Sequence, residues 1–140
     1  MKGKRNDIQL MLAKAHDKLE TARINFSNGK YDDTVSRCYY AVYHAMNAAL
    51  ISKGFSFSSH AHTIGVFNRE FVKTGVFPKY FSEIIQGLFE DRQSGDYDFD
   101  SWIDEPTVRE SIENAATIVT GIAQFLEGEE HMAVKRTKGV

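Results

Sequence analysis

Ser36-Arg37-Cys38-Tyr39-Tyr40-Ala41-Val42-Tyr43-His44-Ala45-Met46 is the stretch on which the fold turns. At about 100° per helical residue, Tyr39, Val42, Met46 and Leu50 fall on one side, flanked by Val35 and Tyr43. Arg37, Tyr40, Ala41, His44, Ala48 and Ile51 fall on nearly the opposite side. A surface helix needs one apolar stripe, and this helix carries two. It is therefore either the central helix of a bundle or a helix whose second face meets another subunit. Ala41 and Ala48 are small enough to let a neighbouring helix close in, and self-association is the expectation drawn from them.

Outward from that helix the chain divides at its glycines. The central helix begins near Tyr31, with Asp32 and Asp33 at its positive end, and stops at Gly54. Before it, Ile8, Leu12, Ala15, Leu19, Ala22 and Phe26 recur at helical spacing, giving a helix from about Asp7 to Asn25 that Asn28-Gly29 closes. After it, Ser58 or Ser59 caps a third helix that reaches about Lys73, before Gly75. Pro78 opens a fourth, with Tyr80, Phe81, Ile84, Ile85, Leu88 and Phe89 inward, ending at Ser94-Gly95. Asp96 to Ser101 read as an acidic, aromatic connection. Asp104-Glu105-Pro106 starts a last helix carrying Val108, Ile112, Ala115, Val119, Ile122 and Leu126. No strand-like alternation persists. The expectation is an all-α, up-and-down bundle of about five helices over residues 1–128, with a mobile tail over 129–140.

Composition narrows the function classes. A chain of 140 residues with 42% apolar residues fits one domain with a core of its own. The net charge of −2 gives no general attraction to nucleic acid, so RNA binding would have to come from a local patch. The single cysteine, Cys38, forms no internal disulfide, and its place in the central helix makes it a small buried thiol. Lys14, His16, Asp17 and Lys18 interrupt any signal-like core, and no run approaches membrane-spanning length, so a cytosolic protein without membrane attachment is expected. His60 and His62 are two apart and point away from each other in a helix, so no metal site is expected there. His60 reads instead as a capping or packing histidine. Asp96, Asp98 and Asp100 alone are a weak cation signal. No phosphate loop or nucleophile elbow is present, and no cofactor is expected.

Arg37 to His44, read as Arg-x-Tyr-Tyr-Ala-x-x-His, resembles the signature of the HEPN superfamily (higher eukaryote and prokaryote nucleotide-binding domains). The order downstream does too: Ser59-His60, then Phe67 and Phe71, then Asp91-Arg92 with Asp96-Tyr97. The resemblance covers about Asp7 to Leu126. It implies a four- or five-helix bundle, a homodimer, and pairing with a minimal nucleotidyltransferase in toxin–antitoxin modules. Active members are metal-independent ribonucleases with an arginine followed after four to six residues by histidine. Arg92 takes the arginine position, but Asp96 and Tyr97 stand where the histidine would be expected.

That departure has chemical weight. Histidine takes and returns protons near neutral pH because its ordinary pKa is about 6.5. An aspartate at about 3.9 is a feeble base, and an arginine steadies phosphate charge without exchanging protons. The sequence therefore points to a partner-binding and RNA-binding subunit of a toxin–antitoxin-like system with a degenerate ribonuclease motif. Its site would comprise Arg92, Asp96 and Tyr97, with Arg37, Tyr40 and His44 as an RNA- or partner-binding face. The alternatives are an active metal-independent endoribonuclease toxin using Arg92 with Asp96 and Tyr97, and a nucleotide or small-molecule sensor. Structural readings compete at each position: Asp33 is spaced to pair with Arg37, and Asp96 to pair with Arg92. The resemblance also makes Tyr97 an acceptor for a nucleotide that the partner would transfer.

Overall fold

A computed structural model describes the backbone of residues 2–55, 59–97 and 103–138, and the side chains within them except those of residues 2, 93–97 and 136–138. Five helices make up the bundle: α1 (Lys2–Ser27), α2 (Tyr31–Ser52), α3 (His60–Phe67), α4 (Lys79–Tyr97) and α5 (Glu105–Lys138). The described residues contain no strand.

The α1–α2 hairpin is the frame. In α1 the residues Ile8, Leu12, Ala15, Leu19, Ala22 and Phe26 alternate steps of four and three. Thr34, Cys38, Ala41, Ala45 and Ala48 do the same in α2 and are all fully buried. Two such seams pack at a shallow angle, and small residues let the axes come close. The turn between them is tight. Gly29 takes φ 72°, which a Cβ would resist, and Lys30 N donates to Asn25 O at 2.9 Å to close the end of α1. No other pair of helices is as extensively packed.

Helix α2 lies at the centre, touching α1, α3, α4 and α5. Of its second face, Ala41 and Ala48 are buried within the chain, while Arg37, Tyr40, His44 and Ile51 stay half-buried. His44 opens onto a depression lined by Ala13, Lys14, Asp17 and Lys18 of α1, and Ala41 and Ala48 lie one turn to either side of it. The small residues lie along the α1–α2 hairpin and let α1 pack closely.

Three helix ends differ from the sequence expectation. The third helix stops at Phe67 and continues as a wider π-type turn over Asn68–Val72, which brings Phe71 beside Phe67 with ring centroids 5.3 Å apart. Helix α4 runs through Ser94-Gly95 to Tyr97, so Asp96 and Tyr97 belong to its last turn. Helix α5 passes Gly128 and reaches Lys138, so residue 128 is not its end. A glycine inside a helix costs only about 1 kcal/mol relative to alanine. Arg5 of α1 holds Glu130 at 3.3 Å beyond that point.

The start signals act as read. Ser59 Oγ accepts from His62 N at 3.1 Å, and Asp104 Oδ1 accepts from Thr107 N at 2.9 Å. Under α3 and α4 the core is built largely of phenylalanines. Phe77 stacks on Phe81 at 5.0 Å and on Phe67 at 5.8 Å, and Phe125 of α5 closes on Phe77 edge-first at 5.5 Å. No helix in the described residues is long and apolar enough to cross a membrane.

Candidate functional site

Where α2, α3 and α4 meet, rings and cations converge. Tyr39, fully buried, shares a 2.6 Å hydrogen bond with Nδ1 of His60. The imidazole of His60 lies flat on Tyr43, with centroids 4.1 Å apart and planes 11° from parallel, and edge-on to Tyr40 at 5.8 Å. From α4, Arg92 Nη2 donates to Tyr40 Oη at 3.1 Å. Its guanidinium carbon stands 5.3 Å from the Tyr40 ring centre and 5.5 Å from that of Tyr39. Both distances are within cation–π range. Ser59 starts α3 and so turns His60 toward α2. The one-turn repeat of α2 stacks Tyr39, Tyr40, Tyr43 and His44 on adjoining surfaces.

Each residue named from sequence has a place. Arg92 and Tyr40, 52 positions apart, are in direct contact. His44 lies beside them, 6.4 Å from Tyr40 ring to ring, on the edge toward Lys14 and Lys18. Arg37 is half-buried one turn before Tyr40 and makes no ion pair with Asp33. The side chains of Asp96 and Tyr97 lie outside the described residues, and so does the expected pairing of Asp96 with Arg92. Asp98 and Asp100 lie outside them entirely. Among the described residues, no three of His, Cys, Asp or Glu gather closely enough to hold a metal ion.

His60 belongs to this cluster, a placement that the sequence reading did not give. Its packing role is real, but it packs against the same rings that Arg92 covers. The signal available was its capping serine, and nothing local linked it to Arg92.

The two histidines at the rings are both biased toward the neutral form. Burial, with the cations Lys14 and Lys18 and the neighbouring His60, holds the His44 imidazole below its ordinary pKa. Burial and Arg92 lower that of His60. Burial pushes the Cys38 thiol, in the hairpin seam, up to about 12, which leaves it inert. Both histidines therefore accept a proton more readily in the unfolded chain than in the folded one. Their contribution to stability is full above about pH 6.5 and is lost as pH falls toward the folded values. Asp91 works the other way at lower pH, since burial, Glu90 and Glu110 raise its pKa. Thermal unfolding at pH 7 and pH 5.5 should show a loss of stability at the lower pH that a His44→Gln/His60→Asn double variant reduces. An equal pH slope in the two proteins would contradict this assignment.

A larger groove, of about 590 Å³, lies between the start of α1 and the end of α5, bordered by Arg5, Ile8, Leu12, Glu129 and Glu130. It reaches Ser52, roughly 18 Å along α2 from Tyr40, so it is separate from the ring cluster. Its charges are mixed, with Arg5 and Glu130 paired at 3.3 Å on its rim.

Comparison with known proteins adds the following. The model of the HEPN domain family matches residues 8–125. A protein named "UPF0332 protein" from Thermotoga maritima is 33% identical, over 91% of this chain and 96% of its own. One named "Putative toxin" from Methanocaldococcus jannaschii is 34% identical over 76% of this chain and 77% of its own. A second protein of that name and organism is 29% identical over 67% of this chain and 64% of its own.

Proposed function

The chain belongs to the HEPN domain family, and on that premise we propose that it is the toxin-type subunit of a two-component module and engages RNA at the cluster around Arg92. The observation that carries this reading is the placement of the Arg92 guanidinium over Tyr39 and Tyr40, hydrogen-bonded to Tyr40 and beside His60. A guanidinium matches two phosphate oxygens at once, and the half-buried Tyr40 offers an aromatic ring on which an unpaired base can stack. Lys14 and Lys18 of α1 extend the cations beside His44, although Asp17 interrupts them. This local patch is what a chain of near-neutral net charge needs to hold RNA. Two relatives bearing the name "Putative toxin" support the toxin side of the reading. A second copy of the chain and a minimal nucleotidyltransferase are the partners that the reading assigns to it.

The test compares the parent with Arg92→Ala for binding of a randomised single-stranded RNA pool, and for growth on expression without a partner. Losing the guanidinium should weaken binding by about tenfold or more, as expected for a hydrogen bond to a charged group, and relieve the growth defect. An Arg92→Ala protein that folds, binds RNA and slows growth like the parent sinks the reading.

A further inference from the structure

We propose that His60 is the base that removes the 2′-hydroxyl proton of RNA held at Arg92, with Tyr39 as the residue that positions it. The inference rests on the RNA reading above and supplies the group that the sequence after Arg92 lacks. Three observations carry it. His60 is clamped: its ring is stacked on Tyr43 and edge-packed on Tyr40, so its plane is fixed. Its Nδ1 is engaged by Tyr39 Oη at 2.6 Å, and the described residues make no other hydrogen bond to the ring. Arg92 approaches the same Tyr39 and Tyr40 rings, so a phosphate on Arg92 lies next to the imidazole.

The chemistry closes with these groups. In the reacting tautomer Nδ1–H donates to Tyr39 Oη, which leaves the Nε2 lone pair for substrate. Nε2 takes the proton of the ribose 2′-hydroxyl as the 2′-oxygen bonds to phosphorus. The bond from phosphorus to the 5′-oxygen breaks, and the imidazolium returns the proton through water to that departing oxygen. The products are a 2′,3′-cyclic phosphate and a 5′-hydroxyl, with no net proton gained or lost. Arg92 neutralises the charge on the non-bridging oxygens. The geometry parallels other base–orienter pairs: one ring nitrogen is held by a buried partner and the other is presented to the reacting atom. Tyr39 suits the orienting role because burial keeps its hydroxyl protonated.

Among the described residues, five groups face the imidazole. Arg92 comes from α4, and His44, Tyr39, Tyr40 and Tyr43 come from α2. The only permanent charge among them is the Arg92 cation, which opposes protonation of His60. A base in that setting is ready at neutral pH, so the rate should rise with pH across the acid side and level off before neutrality.

The experiment uses the full chain in EDTA with a randomised single-stranded RNA pool and its 2′-deoxy counterpart. The parent should cut RNA to cyclic-phosphate ends and spare the deoxy pool. His60→Asn keeps a polar atom at the Nδ1 position for Tyr39, so it should fold. It should cut about 100-fold more slowly or worse, while its affinity for the pool changes by no more than about twofold. Tyr39→Phe should slow cutting less and shift the acid limb of the pH profile, which a purely structural role would not do. A folded His60→Asn that cuts at the parental rate overturns the proposal. So does a parent that binds the pool and never cuts it. If Arg92→Ala binds and cuts normally while His60→Asn does not cut, the Arg92 reading fails and the assignment of His60 stands.

Discussion

Phe71→Ala should lower the unfolding free energy by about 3–5 kcal/mol, the range for truncating a fully enclosed phenylalanine. Phe71 is 0% exposed. It stacks on Phe67 at 5.3 Å, meets Phe77 at 5.8 Å and takes the edge of Phe125 at 5.8 Å, and the Lys53 ammonium sits 4.9 Å above it. Its neighbours are rings that are themselves stacked, so they cannot collapse into the space without breaking contacts of their own. The residue also sits in the π-type turn, where the backbone is already committed to Phe77 N donating to Phe71 O at 2.8 Å. Urea unfolding should show a lower midpoint with an unchanged slope, and the melting temperature should fall by roughly 10–20 °C. Phe71→Leu should restore most of the loss. A Phe71→Ala protein within about 1 kcal/mol of the parent would mean that this phenylalanine end of the core is not a cooperative part of the bundle.

Ala41→Leu should cost about 3 kcal/mol, toward the upper end for overpacking. Ala41 is 0% exposed in the seam beneath α1, and α2 cannot retreat because α4 and α5 occupy its other side. The added carbons must therefore push α1 outward, and the displacement reaches Tyr40 and His44, which are one residue and one turn away. Loss of stability should thus come with weaker RNA binding. Ala13→Leu, on the exposed side of α1, should be nearly neutral and serves as the control. Light scattering adds a second readout. If Ala41 lined a subunit contact, the substitution would change the assembly state and spare the stability of the monomer. That result would place α1 elsewhere.

What could be read from sequence here were features decided within a few residues. Gly29 and Gly54 close helices with positive φ, Ser59 and Asp104 cap them, and the two faces of α2 follow from helical periodicity alone. Ala41 and Ala48 were legible as small residues awaiting a helix. Which helix arrives depends on the three-residue turn at Asn28–Lys30 folding α1 back, and a wheel diagram has no term for that. Gly95 and Gly128 misled because a glycine ends a helix only where the following backbone can reverse. Gly95 is followed by Asp96 and Tyr97 still in helix, and Gly128 lies in a run of glutamates that favour helix. The meeting of His60 with Arg92 was out of reach. It depends on the rotational setting of α3 and α4 against α2, which is fixed by packing between helices. Arg92, Tyr40 and His44 lie together as neighbours, and sequence alone did not place His60 among them.

The ring cluster draws on positions 39, 60 and 92, which gives the molecule a schedule. The α1–α2 hairpin is nearly all local pairing and can form as soon as both helices are made. It then holds Tyr39, Tyr40 and Tyr43 in place. The guanidinium arrives only when α4 docks, after about two-thirds of the chain has been synthesised, at a pace of some 5–20 residues per second. A chain interrupted before α4 has the rings and His60 but lacks the Arg92 guanidinium. The cluster is therefore completed late, in a single docking step.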